Sequence, residues 1–310
     1  GTFSANSTMK VLETAVLKAA EWTDPENDTP LKYAFSYMEG VFSYFLPAKE
    51  IVACPLSTQT ECSYNFSVAP ENANFTFTLV LTIEDQRGGI ARELLLTYAP
   101  PPTARELIIA LETRDLEDII QILIDSITRI ENLYLLRASG CPNCSDHGSC
   151  TKGTCTCFPG YTLSDCSVTR TEIADLHELK NKALEVLLQK YSENPSSQTL
   201  ARKMGTLIGV IVKNPKFTPE ETVIKSIDIL KQHFIYLNNN TTLATSDAIN
   251  EAAIAFNNIL NYAKGACKPD NKLMNMIAKS TPDFVDYLTL LQLNDVLPDS
   301  GPINLVTNNF

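Results

Sequence analysis

Histidine is scarce in this chain: His147, His177 and His233 are its only three among 310 residues. His177 and His233 fall on predicted helices with no second histidine four residues on, so neither helix offers a paired-imidazole metal site of its own. HExxH, GxSxG, GxGxxG and the Walker phosphate loop are also missing. The acid pairs Glu117-Asp118 and Glu220-Glu221 fall where helices should begin, and carboxylates in a first turn compensate the helix dipole. These absences predict a protein that is not an enzyme. A secreted hydrolase would need converging polar groups that the sequence does not advertise. Basic residues are outnumbered too, 25 against 36 acidic, for a net charge of −11 and a pI near 4.8. With no basic patch to release counterions, nucleic acid is excluded as a partner. No run approaches eighteen apolar residues, so nothing reads as a membrane span, and membrane attachment would come only through segments outside this chain. The start, Gly-Thr-Phe-Ser-Ala-Asn-Ser-Thr, lacks the basic end and apolar centre of a signal peptide.

Cysteine is what the chain has in quantity. Six of nine lie between Cys141 and Cys166, spaced C-x2-C-x5-C-x4-C-x-C-x8-C. The stretch has no apolar periodicity and cannot fold on a core of its own, so it needs cross-links. Cys141-Pro142-Asn143-Cys144 has redox spacing, and CxxC followed by CxC could hold zinc. A redox CxxC normally opens a helix after a strand, however, whereas Ser-Asp-His-Gly follows here, and zinc would leave two thiols over. The spacing resembles an EGF-like module, with His147-Gly148 before the third cysteine and Phe158-Pro159-Gly160-Tyr161 after the fifth. That resemblance implies the pairs Cys141–Cys150, Cys144–Cys155 and Cys157–Cys166; spacing alone allows fifteen connectivities. Calcium-binding members carry acidic and amide residues before the first cysteine. Leu136-Arg137-Ala138-Ser139-Gly140 stands there instead, which argues against calcium, and no other cofactor is implied.

A disulfide module requires an oxidising compartment, so the chain reads as an extracellular or cell-surface piece of a larger protein. Seven Asn-x-Ser/Thr sequons agree, at Asn6, Asn27, Asn65, Asn74, Asn143, Asn239 and Asn240, and N-linked glycans are expected. Adjacent Asn239 and Asn240 should carry one glycan between them. Cys54 and Cys62 are expected to pair, the alternative being two buried thiols. Cys267 is then the odd cysteine, unpaired or bonded outside this piece, and Lys268-Pro269-Asp270 beside it favours an external partner.

Residues 1–102 read as β. Leu31, Tyr33, Phe35 and Tyr37 alternate with polar or small residues, as do Phe75, Phe77, Leu79, Leu81 and Ile83. After the Arg87-Gly88-Gly89 turn, Leu94, Leu96 and Tyr98 share a face, and Val11 to Leu17 is an earlier strand. Strands with such punctuation over about 100 residues predict an immunoglobulin- or fibronectin-like sandwich. Trp22-Thr23-Asp24-Pro25 with Pro30-Leu31-Lys32-Tyr33-Ala34-Phe35 looks like the W-x-D…P-L-x-Y-x-F signature of the REJ (receptor for egg jelly) region of polycystin-type receptors. Trp22 itself reads as a packing residue, with ligand stacking as the sharper alternative.

From Thr103 the period becomes 3.6. Leu116, Ile119, Ile120, Leu123, Ile127 and Ile130 make one stripe, with Asp115 as N-cap, and 103–140 reads as a linking helix. The EGF-like piece fills 141–166. Thr169-Arg170-Thr171-Glu172 then forms a capping box, and 167–310 reads as a helical bundle. Gly205 and Gly209 share a face and invite a close neighbour. Thr218-Pro219-Glu220-Glu221 and Thr281-Pro282-Asp283 read as helix starts. By order and composition, 171–295 looks like the helical part of a GAIN module. The His-Leu-Ser/Thr tripeptide by which such modules cut themselves is missing.

The whole is thus expected to be multidomain α+β: a sandwich, then a mainly α-helical domain with an inserted disulfide-rich module. Its expected work is adhesion, ligand sensing or spacing in a membrane receptor, with a protein or glycan partner at the cell surface. A structural subunit of an extracellular filament or coat, working by self-association, is the alternative.

Overall fold

Alternating apolar residues give seven strands among the described residues of the first hundred positions: β1 (Thr2–Ser4), β2 (Thr14–Ala20), β3 (Lys32–Glu39), β4 (Ile51–Ser57), β5 (Glu61–Asn65), β6 (Thr76–Glu84) and β7 (Ile90–Tyr98). They appear in a computed structural model that describes residues 1–6, 10, 12–24, 26, 29–39, 50–66, 76–136, 144–193, 197–240, 242–265 and 270–293. Val11, Asn27, Phe75, Asn74, Cys141, Asn143 and Cys267 lie outside the described residues. By internal packing the chain forms two units, Gly1–Pro102 and Thr103–Phe310.

In the first unit every described pairing is antiparallel, and the strands form two sheets ordered β1-β2-β5 and β4-β3-β6-β7. Their inward residues make one core, including Leu17, Phe35, Tyr37, Phe66, Phe77, Leu79 and Leu81. Its centre is aromatic. Tyr37 meets Phe66 and Phe77 edge-on at 4.8 and 5.2 Å, and Phe66 stacks on Phe77 at 5.1 Å. Edge-to-face and offset contacts of this kind add to the stabilisation from burial alone. Cys54 of β4 and Cys62 of β5 form a disulfide with their Cα atoms 6.1 Å apart, so it staples an edge of one sheet to an edge of the other. Trp22 packs half-buried against this core, and its Nε1 donates to the Thr2 carbonyl at 3.2 Å.

In the final hairpin Leu94, Leu96 and Tyr98 share a face as expected, and that face is the outer one. All three are exposed, while Leu95, Thr97 and Ala99 face in. Three consecutive leucines hide the period, and pairing of Leu95 with Leu79 sets the register; a one-residue slip exchanges the faces. On β6 the outward residues Thr78 and Val80 are as buried as the inward ones. That strand is paired on both edges, so its neighbours shade it. The turn expected at Arg87-Gly88-Gly89 forms, with Asp85 Oδ1 accepting from the backbone N–H groups of Arg87 and Gly89, both at 2.8 Å.

Among the described residues, seven helices build the second unit: α1 (Ala104–Thr113), α2 (Leu116–Leu136), α3 (Arg170–Glu193), α4 (Gln198–Val212), α5 (Glu220–Asn239), α6 (Ser246–Gly265) and α7 (Asn271–Leu293). The expected linking helix is two helices. Thr103 and Glu106 form a capping box on α1, and Asp115 Oδ1 caps α2 through the Glu117 N–H at 3.0 Å. Both pack into the bundle, α1 on α3 and α2 on α4. Gly205 lies against α6 so closely that a Cβ there would sit 2.5 Å from the Ala252 nitrogen.

One expected helix start is otherwise. Pro282 lies inside α7 rather than opening a new helix, and Thr281 donates its hydroxyl to the Ile277 carbonyl at 2.8 Å. The other start forms within the expected stretch, at Glu220, but the N-cap is Pro219 with no side-chain cap bond, not Thr218. The Thr218 hydroxyl accepts from buried Lys180 Nζ at 2.7 Å and donates to the Ile211 carbonyl at 2.8 Å. A burial demand from α3 has taken it.

Candidate functional site

Between α2 and α3 stands the cysteine-rich module. A 3-10 turn at Cys144–Asp146 leads into the hairpin β8 (Gly148–Thr151) and β9 (Thr154–Cys157), followed by β10 (Tyr161–Thr162) paired with β11 (Val168–Thr169). Lys152 and Gly153, at φ 50° and 80°, make the two-residue hairpin loop. Positive φ at both positions matches the strand twist, and glycine takes it at no steric cost. Gly148 is demanded by space instead: a Cβ there would stand 2.7 Å from Cys166 Sγ. The His147 ring stacks on Tyr161 at 3.9 Å.

Disulfides join Cys144 to Cys155 and Cys157 to Cys166, with Cα separations of 5.6 and 5.2 Å. Cys150 is also disulfide-bonded. Spacings of this size bridge without backbone movement. Among the described residues, no group of three or more His, Cys, Asp or Glu side chains is placed to hold a metal ion.

At its C-terminal end the module passes straight into α3. Thr169 is the last residue of β11, and its hydroxyl and backbone N–H both meet Glu172 Oε2 at 2.9 Å, while the Glu172 N–H donates back to Thr169 Oγ1 at 3.1 Å. This is the expected capping box. The Arg170 N–H donates to the Gly160 carbonyl at 2.8 Å, tying the first helical residue to the module as well.

The helical unit holds the ionisable groups that sequence reasoning missed. Lys180 is wholly buried, with Nζ 2.5 Å from Glu131 Oε1 on α2, 2.9 Å from the Ile211 carbonyl and 2.7 Å from Thr218 Oγ1. Burial pushes the lysine pKa down and the Glu131 pKa up, and their mutual attraction opposes both shifts. A desolvated lysine can serve as a nucleophile. This one has all three hydrogens engaged and no exposed surface, so it acts as a strut across α2, α3 and α4. His233 is also fully enclosed. Its Nδ1 lies 3.2 Å from the Tyr191 hydroxyl, its Nε2 has no hydrogen-bond partner, and burial pulls its pKa down to about 4. His177 is half-buried on α3, its pKa lowered by burial and by Lys180. The three histidines do not form a cluster. Of the acid pairs, Glu117-Asp118 lies in the first turn of α2 and Glu220-Glu221 in the first turn of α5.

The described sequon asparagines differ in setting. Asn6, Asn65 and Asn239 are exposed; Asn240 is half-buried. Asn65 Oδ1 accepts from the Thr14 hydroxyl at 2.7 Å.

Residues 141–169 match the family model of the teneurin-like EGF domain. The match leaves the Trp22 to Tyr37 motif and the helices outside it. No curated protein and no solved structure matches the chain. The module is therefore an EGF-like domain, of a kind that with its disulfides is typical of extracellular proteins. No described helix is long and apolar enough to cross a membrane.

Proposed function

We propose that this chain is a non-catalytic extracellular region of a large cell-surface receptor, in which the EGF-like domain is a rigid knob held on the helical unit. The carrying observation is that domain itself, cross-linked and continuous with α3 through the Thr169–Glu172 capping box. A disulfide-held surface of this kind resists proteases and offers fixed loops for contact with a protein or glycan partner. The Trp22 to Tyr37 motif supports placement in a polycystin-like, REJ-containing protein, and the helices after the module suit the helical part of a GAIN region.

Secretion of the chain from eukaryotic cells, followed by alkylation under denaturing, non-reducing conditions, tests the premise. The six cysteines of 141–166 should resist alkylation. Their modification, or a metal bound to them, would overturn the reading.

One observation favours the filament alternative. On the outer face of the four-stranded sheet Val52, Ile90, Leu94, Leu96 and Tyr98 are all exposed, and apolar side chains gathered on one sheet face are a common docking feature. Light scattering across a concentration series separates the two. A spacer stays monomeric, whereas a filament subunit assembles and loses that tendency on Leu94→Ser/Leu96→Ser.

A further inference from the structure

We propose that the doublet of sequons closing α5 is glycosylated at Asn239 and not at Asn240, and that the first sugar lies in an apolar groove between α3 and α5. The inference rests on the extracellular reading above.

Helices α3 and α5 run side by side in the same direction, linked by Thr222 to Asn181 at 2.9 Å near one end and by Tyr191 to His233 at 3.2 Å near the other. Between their C-terminal halves lies a groove of about 360 Å³, lined by Leu188, Tyr191 and Ser192 of α3 and by Gln232, Ile235, Tyr236 and Asn239 of α5. On α5 the lining positions are i, i+3, i+4 and i+7, one continuous stripe, and Asn239 is its last member. Leu188 and Ile235, each 38 % exposed, leave apolar surface in water there.

The two asparagines are not equivalent acceptors. Asn240 is half-buried, and its Nδ2 donates to the Tyr236 carbonyl at 3.1 Å, satisfying one of the orphan carbonyls at the helix end. A sugar on that nitrogen would replace one of its two hydrogens and have to leave from a position pressed against the helix terminus. Asn239 is exposed and borders the groove. In the transfer, Asn239 Nδ2 attacks C1 of a polyprenyl-diphosphate oligosaccharide. The N–C1 bond forms, the C1–O bond breaks, the amide loses one proton and the lipid diphosphate leaves.

The groove suits what would be attached. A pyranose presents an apolar face of C–H groups and a rim of hydroxyls, and an N-acetylhexosamine adds a methyl. Such sites combine apolar and aromatic walls with a few polar groups. Here Tyr236, Ile235 and Leu188 form the walls, and Gln232 stands at the rim. Covalent attachment at the border makes occupancy intramolecular, so weak contacts suffice to hold the sugar.

The test uses the chain secreted from cells that make high-mannose glycans. Glycopeptide mass spectrometry should place sugar on Asn239; Asn239→Gln should lose that glycan and Asn240→Gln keep it. Trimming to a single N-acetylglucosamine with endoglycosidase H should leave the melting temperature unchanged. Complete removal with peptide N-glycosidase should lower it by about 2–4 °C, beyond any change seen in Asn239→Asp, which reproduces the deamidated product. In Leu188→Ser/Ile235→Ser the two treatments should give the same melting temperature. Sugar on Asn240, a bare Asn239, or equal melting after both treatments of the parent chain overturns the inference. If Asn239 is bare while other sequons are occupied and the module is bridged, the extracellular reading survives. If no sequon is occupied and the module's thiols are free, both fall.

Discussion

The sandwich's buried polar side chains, among the described residues, are the hydroxyls of Ser36, Thr78 and Thr97; the helical unit buries Glu131, Lys180 and His233. One core is aromatic rings closed by the Cys54–Cys62 staple, with no charge to satisfy. The other is aliphatic stripes pinned by an ion pair and a neutral imidazole. A hydroxyl can turn toward any nearby carbonyl, whereas a buried ammonium must find its partners in fixed places. Helices α2, α3 and α4 are therefore positioned by polar geometry as well as by apolar area, and the two sheets by packing and the Cys54–Cys62 staple.

Paired truncations give the largest contrast. Lys180→Met strands Glu131 in the core and should cost about 3–5 kcal/mol, lowering the urea midpoint of far-ultraviolet helix signal. The double change Lys180→Met/Glu131→Leu should restore most of the loss. Phe77→Ala should cost the sandwich a similar amount, about 3–5 kcal/mol. Because Trp22 is the only tryptophan and sits in the sandwich, its emission should follow Phe77→Ala and ignore Lys180→Met. Midpoints of both probes that move together in both variants would break the contrast.

Acid should give the next effect. His233 has a folded pKa near 4 against an ordinary 6.5, so the unfolded chain binds its proton first. The stability this contributes is complete above about pH 6.5 and is lost as pH falls towards 4, with a ceiling of about 3 kcal/mol. Helix melting should fall across that window, and His233→Phe should flatten the fall. An unchanged pH profile in that variant would place the sensitivity elsewhere. Smallest is Gly205→Ala. Its methyl meets backbone atoms of Glu251 and Ala252 at 2.6 and 2.5 Å, so α4 and α6 must separate, at about 1–3 kcal/mol. Thermal melts measure it.

Features set by neighbours in sequence were legible. Thr169 with Glu172, the Arg87-Gly88-Gly89 turn, and the Gly205–Gly209 face carry their geometry within a few residues. So does the cysteine spacing, whose His147-Gly148 step proves to be a matter of room beside Cys166. Features decided at a distance were hidden. Thr218-Pro219 and Thr281-Pro282 look alike as helix starts, yet Lys180 claims one threonine and α7 runs straight through the other proline. Lys180 itself sits in His-Glu-Leu-Lys-Asn-Lys, which reads as a solvated face until α2 and α4 close over it. Leu94-Leu95-Leu96 offers two registers, and only the partner strand chooses. The groove beside Asn239 needs two helices and could not be read from either.

The passage from β11 into α3 has a mechanical side. No spare residue separates the strand from the helix, and Arg170 is bonded back to Gly160. A tether gripping the module would therefore turn it not on a swivel but as a lever on α3. About three turns along that helix Lys180 grips α2 and α4, so tension at the knob would be delivered to a point where three helices are locked together.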